Sequence, residues 1–299
     1  MRVAILGQAD GWHTRELWAA LSRHGHSVSC PRITRLTARL GERPCLTAEG
    51  EGLDECDAVF VRTIPAGSLE QIVFRMDALR RLENLGVRVI NPPACIERGV
   101  DKYYTAALLE DAGLPTPRTV VTERFDEALA AFEDLGGDVV VKPLFGSEGR
   151  GMVRVSDRDV AYRVLRALEL GRYVFCLQEF LQAGERDVRV FVLDDEVLAG
   201  MVRNGRTWKC NVAQGGQASP WVVDDRAAHL ALQAARAVGA DYAGIDLLIR
   251  EPGEYTVLEV NTIPGWRALK SVTGLEVADL VVQRLLRASP FEAPPGVSS

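Results

Sequence analysis

The chain has 299 residues, 47% of them hydrophobic and 25% charged, with a net charge of −6. That length suits two domains, or three small ones sharing interfaces. The acidic balance and the lack of a basic run disfavour a nucleic-acid platform or an anionic-membrane binder, and no apolar run reaches the roughly 18 residues of a membrane span.

The first segment, MRVAILGQADGW, lacks the apolar stretch and cleavage site of a signal peptide. The six cysteines (Cys30, Cys45, Cys56, Cys95, Cys176, Cys210) show no CxxC pair and no metal-ligand spacing. Together these point to a reducing, cytoplasmic setting without a disulfide framework. Residues 1–90 alternate strand and helix. RVAILG is a strand, TRELWAALSRHG a helix ending at Gly25, and HSVSC and DAVFVR are strands. SLEQIVFRMDALRRLENLG is a long amphipathic helix, and VRVIN is a strand. Such a βαβ series predicts a small parallel sheet. The long helix serves either the core or a homo-oligomer interface.

NPPACIERGVDK (91–102) reads as a linker, and DKYYTAALLEDAG as a helix with Asp101 as N-cap. PTPRTVVT, DVVVKPL and MVRVS are strands; FDEALAAFEDLGG and DVAYRVLRALELG are helices. A boundary is expected near residue 172. After it come the strand YVFCLQEFL, two strands in ERDVRVFVLDDEVLAGMVR around Asp194-Asp195, and a long loop over 204–220. A helix follows (DDRAAHLALQAARAVG), then a hairpin over 243–261, a loop (TIPGWRALKSVTG) and a last helix (LEVADLVVQRLLR). This gives domains at 1–90, 91–172 and 173–290, with a disordered tail at 291–299.

The hairpin AGIDLLI–REPGEYTVLEVN carries the sharpest signal. A turn at Pro252-Gly253 pairs position i with 505 − i, which sets Asp246 opposite Glu259. Asn261 shares their face because strand side chains alternate, while Ile245, Leu247, Ile249, Thr256, Leu258 and Val260 take the other. Opposed carboxylates repel unless a hard cation such as Mg²⁺ reverses the sign. The competing reading is a solvated outer face.

GSEGRG (146–151) opens into a strand rather than a helix, so it is not a Rossmann or Walker loop. It is a Gly-rich hairpin: either a flap over a nucleotide, with Lys142 reaching phosphate, or a plain flexible turn. Gln178 and Glu179 close a strand where a nucleotide hinge, or simply a strand end, is expected. Asp187 and Arg189 share a strand face, and Arg189 and Arg203 offer forked donors suited to phosphate or to surface ion pairs. The 204–220 loop, with Arg206, Trp208, Lys209 and Asn211 among glycines, is long enough for a basic lid over an acyl phosphate or a disordered excursion. No serine or cysteine sits in a nucleophile elbow, and Gly7 and Gly11 do not fit GxGxxG, which removes the dinucleotide reading.

In order, VVVKPLFGSEGRGMVRV, LQEFL, DVRVFV, WKCNVAQGG and GIDLLI…VLEVNTIPG resemble the ATP-grasp superfamily, and within it the RimK-like α-L-glutamate ligase branch. The likeness spans roughly residues 88–290; residues 1–87 are similar only to a generic pre-ATP-grasp domain. The resemblance implies an α/β (α+β) ATP-grasp fold, with an N-terminal βαβ domain and two α+β subdomains clasping ATP. It implies that Lys102 and Lys142 contact phosphates, that the Gly146–Gly151 flap with Ser147 and Gly149 covers them, and that Gln178, Glu179 and Phe180 flank adenine and ribose. Asp187 and Arg189 would lie by the nucleotide and acyl phosphate, with Arg203, Lys209 and Asn211 completing the reactive end. Asp246, Glu259 and Asn261 would hold Mg²⁺, with Mn²⁺ as a substitute. The implied activity is ATP-dependent joining of an amine, L-glutamate in this branch, to a carboxylate of a cofactor, peptide or carrier protein. A non-catalytic ATP-binding regulatory module is the alternative. Three departures from the branch stand out: KCN at 209–211, where relatives often carry Arg-Ser-Asn or Lys-Thr-Asn; Gln214, where many relatives carry a basic residue; and Trp266-Arg267 in the loop after the hairpin.

Overall fold

In a computed structural model, the apolar run at Arg2–Leu6 forms β1, followed by α1 (Trp12–Arg23) and β2 (Ser27–Ser29). The structure describes residues 1–286 except 147–149, 183, 185, 206, 211–214 and 252. Three short strands come next: β3 (Leu36–Ala38), β4 (Leu46–Ala48) and β5 (Glu51–Gly52). Then come β6 (Ala58–Val61), α2 (Leu69–Asn84), β7 (Arg88–Ile90) and α3 (Pro93–Val100). Sheet order β2-β1-β6-β7 is parallel throughout. Its central strands are apolar on both faces because helices cover both sides; Val3 to Leu6 and Ala58 to Val61 are all fully buried. Helix α2 starts on a capping box: the Ser68 hydroxyl accepts from the Gln71 N–H, and the Gln71 side chain accepts from the Ser68 N–H. β3, β4 and β5 form a separate antiparallel sheet that the sequence reading passed over.

The segment 91–102, read as a linker, is largely helical. Pro93 opens α3, a position where its missing N–H costs nothing, and Asn91 is fully buried. Asp101 does cap the next helix, α4 (Lys102–Asp111), accepting from the Tyr104 N–H at 3.0 Å.

From there the chain runs through β8 (Thr119–Thr122), α5 (Phe125–Asp134), β9 (Val139–Lys142), β10 (Val153–Val155), α6 (Arg158–Leu170) and β11 (Phe175–Glu179). These strands make an antiparallel sheet of order β10-β9-β11-β8, with α5 and α6 packed on it. β11 pairs with both β8 and β9. Phe175–Glu179 therefore lies in the same sheet as the strands before residue 172. A second sheet, β14-β13-β12-β15-β16, is built from β12 (Arg186–Leu193), β13 (Glu196–Asn204), β14 (Gln217–Trp221), β15 (Tyr242–Glu251) and β16 (Glu254–Asn261), with α7 (Asp225–Val238) between β14 and β15. β14 shortens the expected 204–220 loop; its Pro220 sits on an edge strand, where a missing N–H is tolerated.

The chain ends on α8 (Arg267–Thr273) and α9 (Val277–Leu285). Residues 267–273, read as loop, are helical and stop at Gly274, whose φ of 72° is left-handed. By contact the chain forms two units. One holds Met1–Glu97, Gly239–Ala243 and Thr262–Ser299; the other holds Arg98–Val238 and Gly244–Asn261. The tail at 291–299 lies outside the described residues.

Candidate active site

A cavity in the second unit is lined by residues from α4, both sheets and the loop after β13. Lys102, Lys142, Gly146, Gln178, Glu179, Phe180, Asp187, Arg203, Lys209, Asp246 and Glu259 all line it, although they span more than 150 positions. Arg189 and Asn261 join it through Asp246. Ser147, Gly149 and Asn211, also singled out from sequence, lie outside the described residues, as does Pro252.

The hairpin register holds where it matters. Gly244, Ile245 and Asp246 pair with Asn261, Val260 and Glu259. Two irregularities intervene. Leu247 pairs with Val257, which leaves Leu258 as an extra residue on β16, and Arg250 is the extra residue on β15. One bulge offsets the other, so the count about the turn returns to its starting value. The first bulge also moves Leu258 off the core face and onto the cavity wall, a correction to simple alternation.

Asp246 is held by arginine. Arg189 Nε donates to Oδ1 at 2.6 Å and Nη2 to Oδ2 at 2.7 Å. Arg203 Nη2 lies 3.0 Å from Oδ2. The same Arg203 donates twice to Asp187, at 2.6 and 2.7 Å. Arg203 and Asp246 are 2% and 3% exposed, so these pairs are interior rather than the surface ion pairs that were the competing reading. Burial works to raise the Asp246 carboxyl, but the two guanidiniums outweigh it and hold it at about 2. Burial also acts to lower Arg203, and the acids around it raise it still further above the usual arginine range.

Glu259 differs. Burial and the nearby Asp246 charge raise its carboxyl, against the pull of Arg189, Lys102 and Lys142. Its carboxylate accepts no hydrogen bond among the described residues. Asn261 spends its Nδ2 on the Gly244 carbonyl at 3.2 Å, with Asp246 Oδ2 at 3.5 Å. That choice turns the amide oxygen away, and it too accepts no bond among the described residues. A carboxylate, a shared carboxylate and an amide oxygen form a hard oxygen set that fits a divalent cation. Asp246 has lone-pair capacity beyond its arginine contacts.

The lysines are partly tethered. Lys142 Nζ donates to Gln178 Oε1 at 2.5 Å, and Gln178 Nε2 donates to Thr119 Oγ1 at 2.9 Å. Lys102 Nζ donates to the Gly146 carbonyl at 2.7 Å. Burial lowers both lysines, and Glu259 opposes it. The flap is an antiparallel hairpin, with Val153 opposite Val141. Gly146 (φ 142°) and Gly151 (φ 75°) flank Pro143, whose Cγ a Cβ on either would meet at 3.6 or 3.4 Å. Lys209 Nζ donates to the Met152 carbonyl at 2.7 Å, which ties the loop after β13 to the flap.

At the hinge, sequence missed the partners. Arg118 engages both Glu179 oxygens, through its N–H and its Nε, each at 2.8 Å. The Arg154 guanidinium lies 3.6 Å over the Phe180 ring, and Trp208 meets that ring edge-on at 6.0 Å. Thr119 closes the relay from Lys142. These partners sit 26 to 61 residues away in sequence, beyond any local pattern.

In the first unit, His13 Nε2 accepts from the Trp266 N–H at 3.0 Å and its ring packs between Trp12 and Trp266. Burial, then Arg62 and Arg267, lowers His13 to about 4. Arg62 stacks on Trp266 and donates to the Tyr242 hydroxyl and the Pro264 carbonyl. Trp266 is thus packed into that unit, while Arg267 stays exposed with its guanidinium 5.8 Å from the Trp12 ring.

Residues 99–285 match the family model described as a RimK-like ATP-grasp domain, and residues 1–96 match a RimK pre-ATP-grasp domain. The chain belongs to the RimK-like ATP-grasp family. It is an ATP-grasp ligase by kinship. A tetrahydromethanopterin:α-L-glutamate ligase from Methanocaldococcus jannaschii is 39% identical over 242 residues, covering 79% of this chain and 81% of the relative. A probable α-L-glutamate ligase from Vibrio cholerae is 31% identical, covering 95% and 94%. An α-aminoadipate–LysW ligase from Sulfurisphaera tokodaii is 32% identical, covering 68% and 73%. Among solved structures, the ATP-grasp ligase PsnB with minimal precursor, Mg and ADP superposes with a TM-score of 0.73 at 23% identity, covering 96% of this chain and 97% of that one. That last likeness shows the fold. The non-catalytic regulatory alternative finds no support among relatives named as ligases. Among the described residues no helix is long and apolar enough to cross a membrane.

Proposed function

We propose that this ATP-grasp ligase joins L-glutamate to a carboxylate of a small-molecule cofactor, with ADP and phosphate released. The ATP γ-phosphoryl group passes to a carboxylate oxygen as ADP leaves; the amine nitrogen then attacks the acyl carbon, and phosphate departs with that oxygen. The chemistry is mainly positioning and charge neutralisation, for which no protein nucleophile is needed. Lys102 and Lys142 neutralise phosphate oxygens. Gln178 and the hinge backbone hold the base, and Arg189 and Arg203 stabilise charge on the transferring group. Asp246, Glu259 and Asn261 would hold Mg²⁺, which when bound would supply charge neutralisation for the polyphosphate.

The observation that carries this reading is the gathering of Lys102, Lys142, Arg189 and Arg203 around Asp246 and Glu259 at one cavity. Acids and bases gathered in this way suit a polyphosphate with a metal. Glutamate is favoured by the relatives named as glutamate ligases, two of which cover four-fifths or more of this chain or of their own length. A panel of amino acids offered with ATP, Mg²⁺ and a small-molecule extract tests it. L-Glutamate should give the largest ATP consumption and appear in the product by mass spectrometry. A different amino acid in the product overturns the glutamate assignment.

A further inference from the structure

Asn91 is a fully buried side chain to which the reaction assigns no part. Its amide makes four hydrogen bonds to backbone. Nδ2 donates to the Tyr242 carbonyl at 2.8 Å and to the Thr262 carbonyl at 2.6 Å. Oδ1 accepts from the Asp241 N–H at 2.7 Å and the Tyr242 N–H at 3.1 Å. Two donors and two acceptor sites are the whole capacity of a side-chain amide, so Asn91 is saturated.

The place it binds is the open end of the β15–β16 hairpin. The last ladder pair is Gly244 with Asn261. Just beyond it, Tyr242 opens β15 with Asp241 directly before it, and Thr262 directly follows β16. Backbone groups buried there need partners, and Asn91 supplies them by bridging one strand's carbonyl to the other's. Tyr242 precedes Asp246 by four residues, and Thr262 directly follows Asn261. All of Asn91, Asp241, Tyr242 and Thr262 belong to the first unit, and the strands run on unbroken to the oxygen set.

We infer that Asn91 is a positioning residue: it clips the open end of the hairpin and so fixes the spacing of Asp246, Glu259 and Asn261 that a divalent cation requires. No other residue type of that size carries two donors and an acceptor on one planar group. Serine or alanine leaves the Tyr242 and Thr262 carbonyls unjoined. Outer partners that orient metal ligands typically change affinity by about 10–100-fold when removed. This inference rests on the assignment of Mg²⁺ to the hairpin.

The test uses the full chain and the variants Asn91→Ser and Asn91→Ala. The Mg²⁺ concentration for half-maximal turnover should rise about tenfold or more. ATP affinity measured in EDTA should stay within about twofold, since Lys102, Lys142 and the hinge are untouched. Hydrogen exchange on metal-free protein supplies a readout apart from turnover: the Asp241 and Tyr242 amides should be protected in the wild type and exposed in the variants. Variants whose Mg²⁺ requirement matches the wild type, with activity lost only in proportion to the folded fraction, overturn the inference. Fast exchange of those two amides in the folded wild type overturns it even if neither variant folds. A wild type with no Mg²⁺ requirement at all removes the metal assignment, and with it this role for Asn91.

Discussion

Asp246→Asn is expected to lower turnover by a factor on the order of 10³ or more, as for loss of a principal charge-stabilising group. Among the described residues, the carboxylate is the one group that meets Arg189, Arg203 and Asn261 together. Asparagine keeps the shape but loses the charge, and its NH₂ must face guanidinium donors. Two effects follow. A cation loses a charged ligand, and two interior guanidiniums lose their shared counter-charge. Breaking a buried ion pair by removing one partner costs roughly 3–5 kcal/mol, so the variant should also melt earlier. ATP binding measured without Mg²⁺ separates the two, because a folded variant with one anion fewer should bind the polyphosphate no more weakly than the wild type. Near-normal turnover at low Mg²⁺ would count against the metal assignment.

Lys142→Met is expected to reduce kcat/KM for ATP by about 10²–10³-fold. Here stability and activity should part. Burial outweighs the pull of Glu259 and lowers the Lys142 ammonium, so its surroundings disfavour the charge. Methionine fills nearly the same volume without that cost. What it leaves is Gln178 Oε1 without its 2.5 Å donor, a loss of about 1–3 kcal/mol that removal of a buried charge offsets. The melting temperature should therefore move little while nucleotide use collapses. A Lys142→Met protein with wild-type kcat/KM would show that the cavity does not neutralise phosphate through this lysine.

Much of the site was legible because its signals are local. Strand alternation and one turn were enough to set Asp246 against Glu259, and the strand after GSEGRG was enough to reject a phosphate loop opening into a helix. The places where sequence misled share a cause, which is that partners are chosen across the fold. Nothing near Arg189 announces that it will clasp a carboxylate 57 residues away, nor that Arg118 will occupy Glu179 from 61 residues away. Bulges escape a period-2 pattern, so Leu258 was placed on the wrong face. Two prolines misdirected the element reading for opposite reasons. Pro93 looks like a linker residue but suits the first turn of a helix, and Pro220 looks like a loop residue but suits an edge strand. Asn91 stood in plain view beside a Pro-Pro pair. Its role depends on backbone at 241–242 and 262, which only the folded chain brings to it.

The central claim is that the cavity of the second unit uses ATP to activate a carboxylate by phosphorylation. Phosphorus NMR of a complete reaction tests it most directly, with ATP, Mg²⁺, L-glutamate and a panel of carboxylates. The account predicts ADP and inorganic phosphate appearing together, in step with new amide. AMP and pyrophosphate as the products would contradict it.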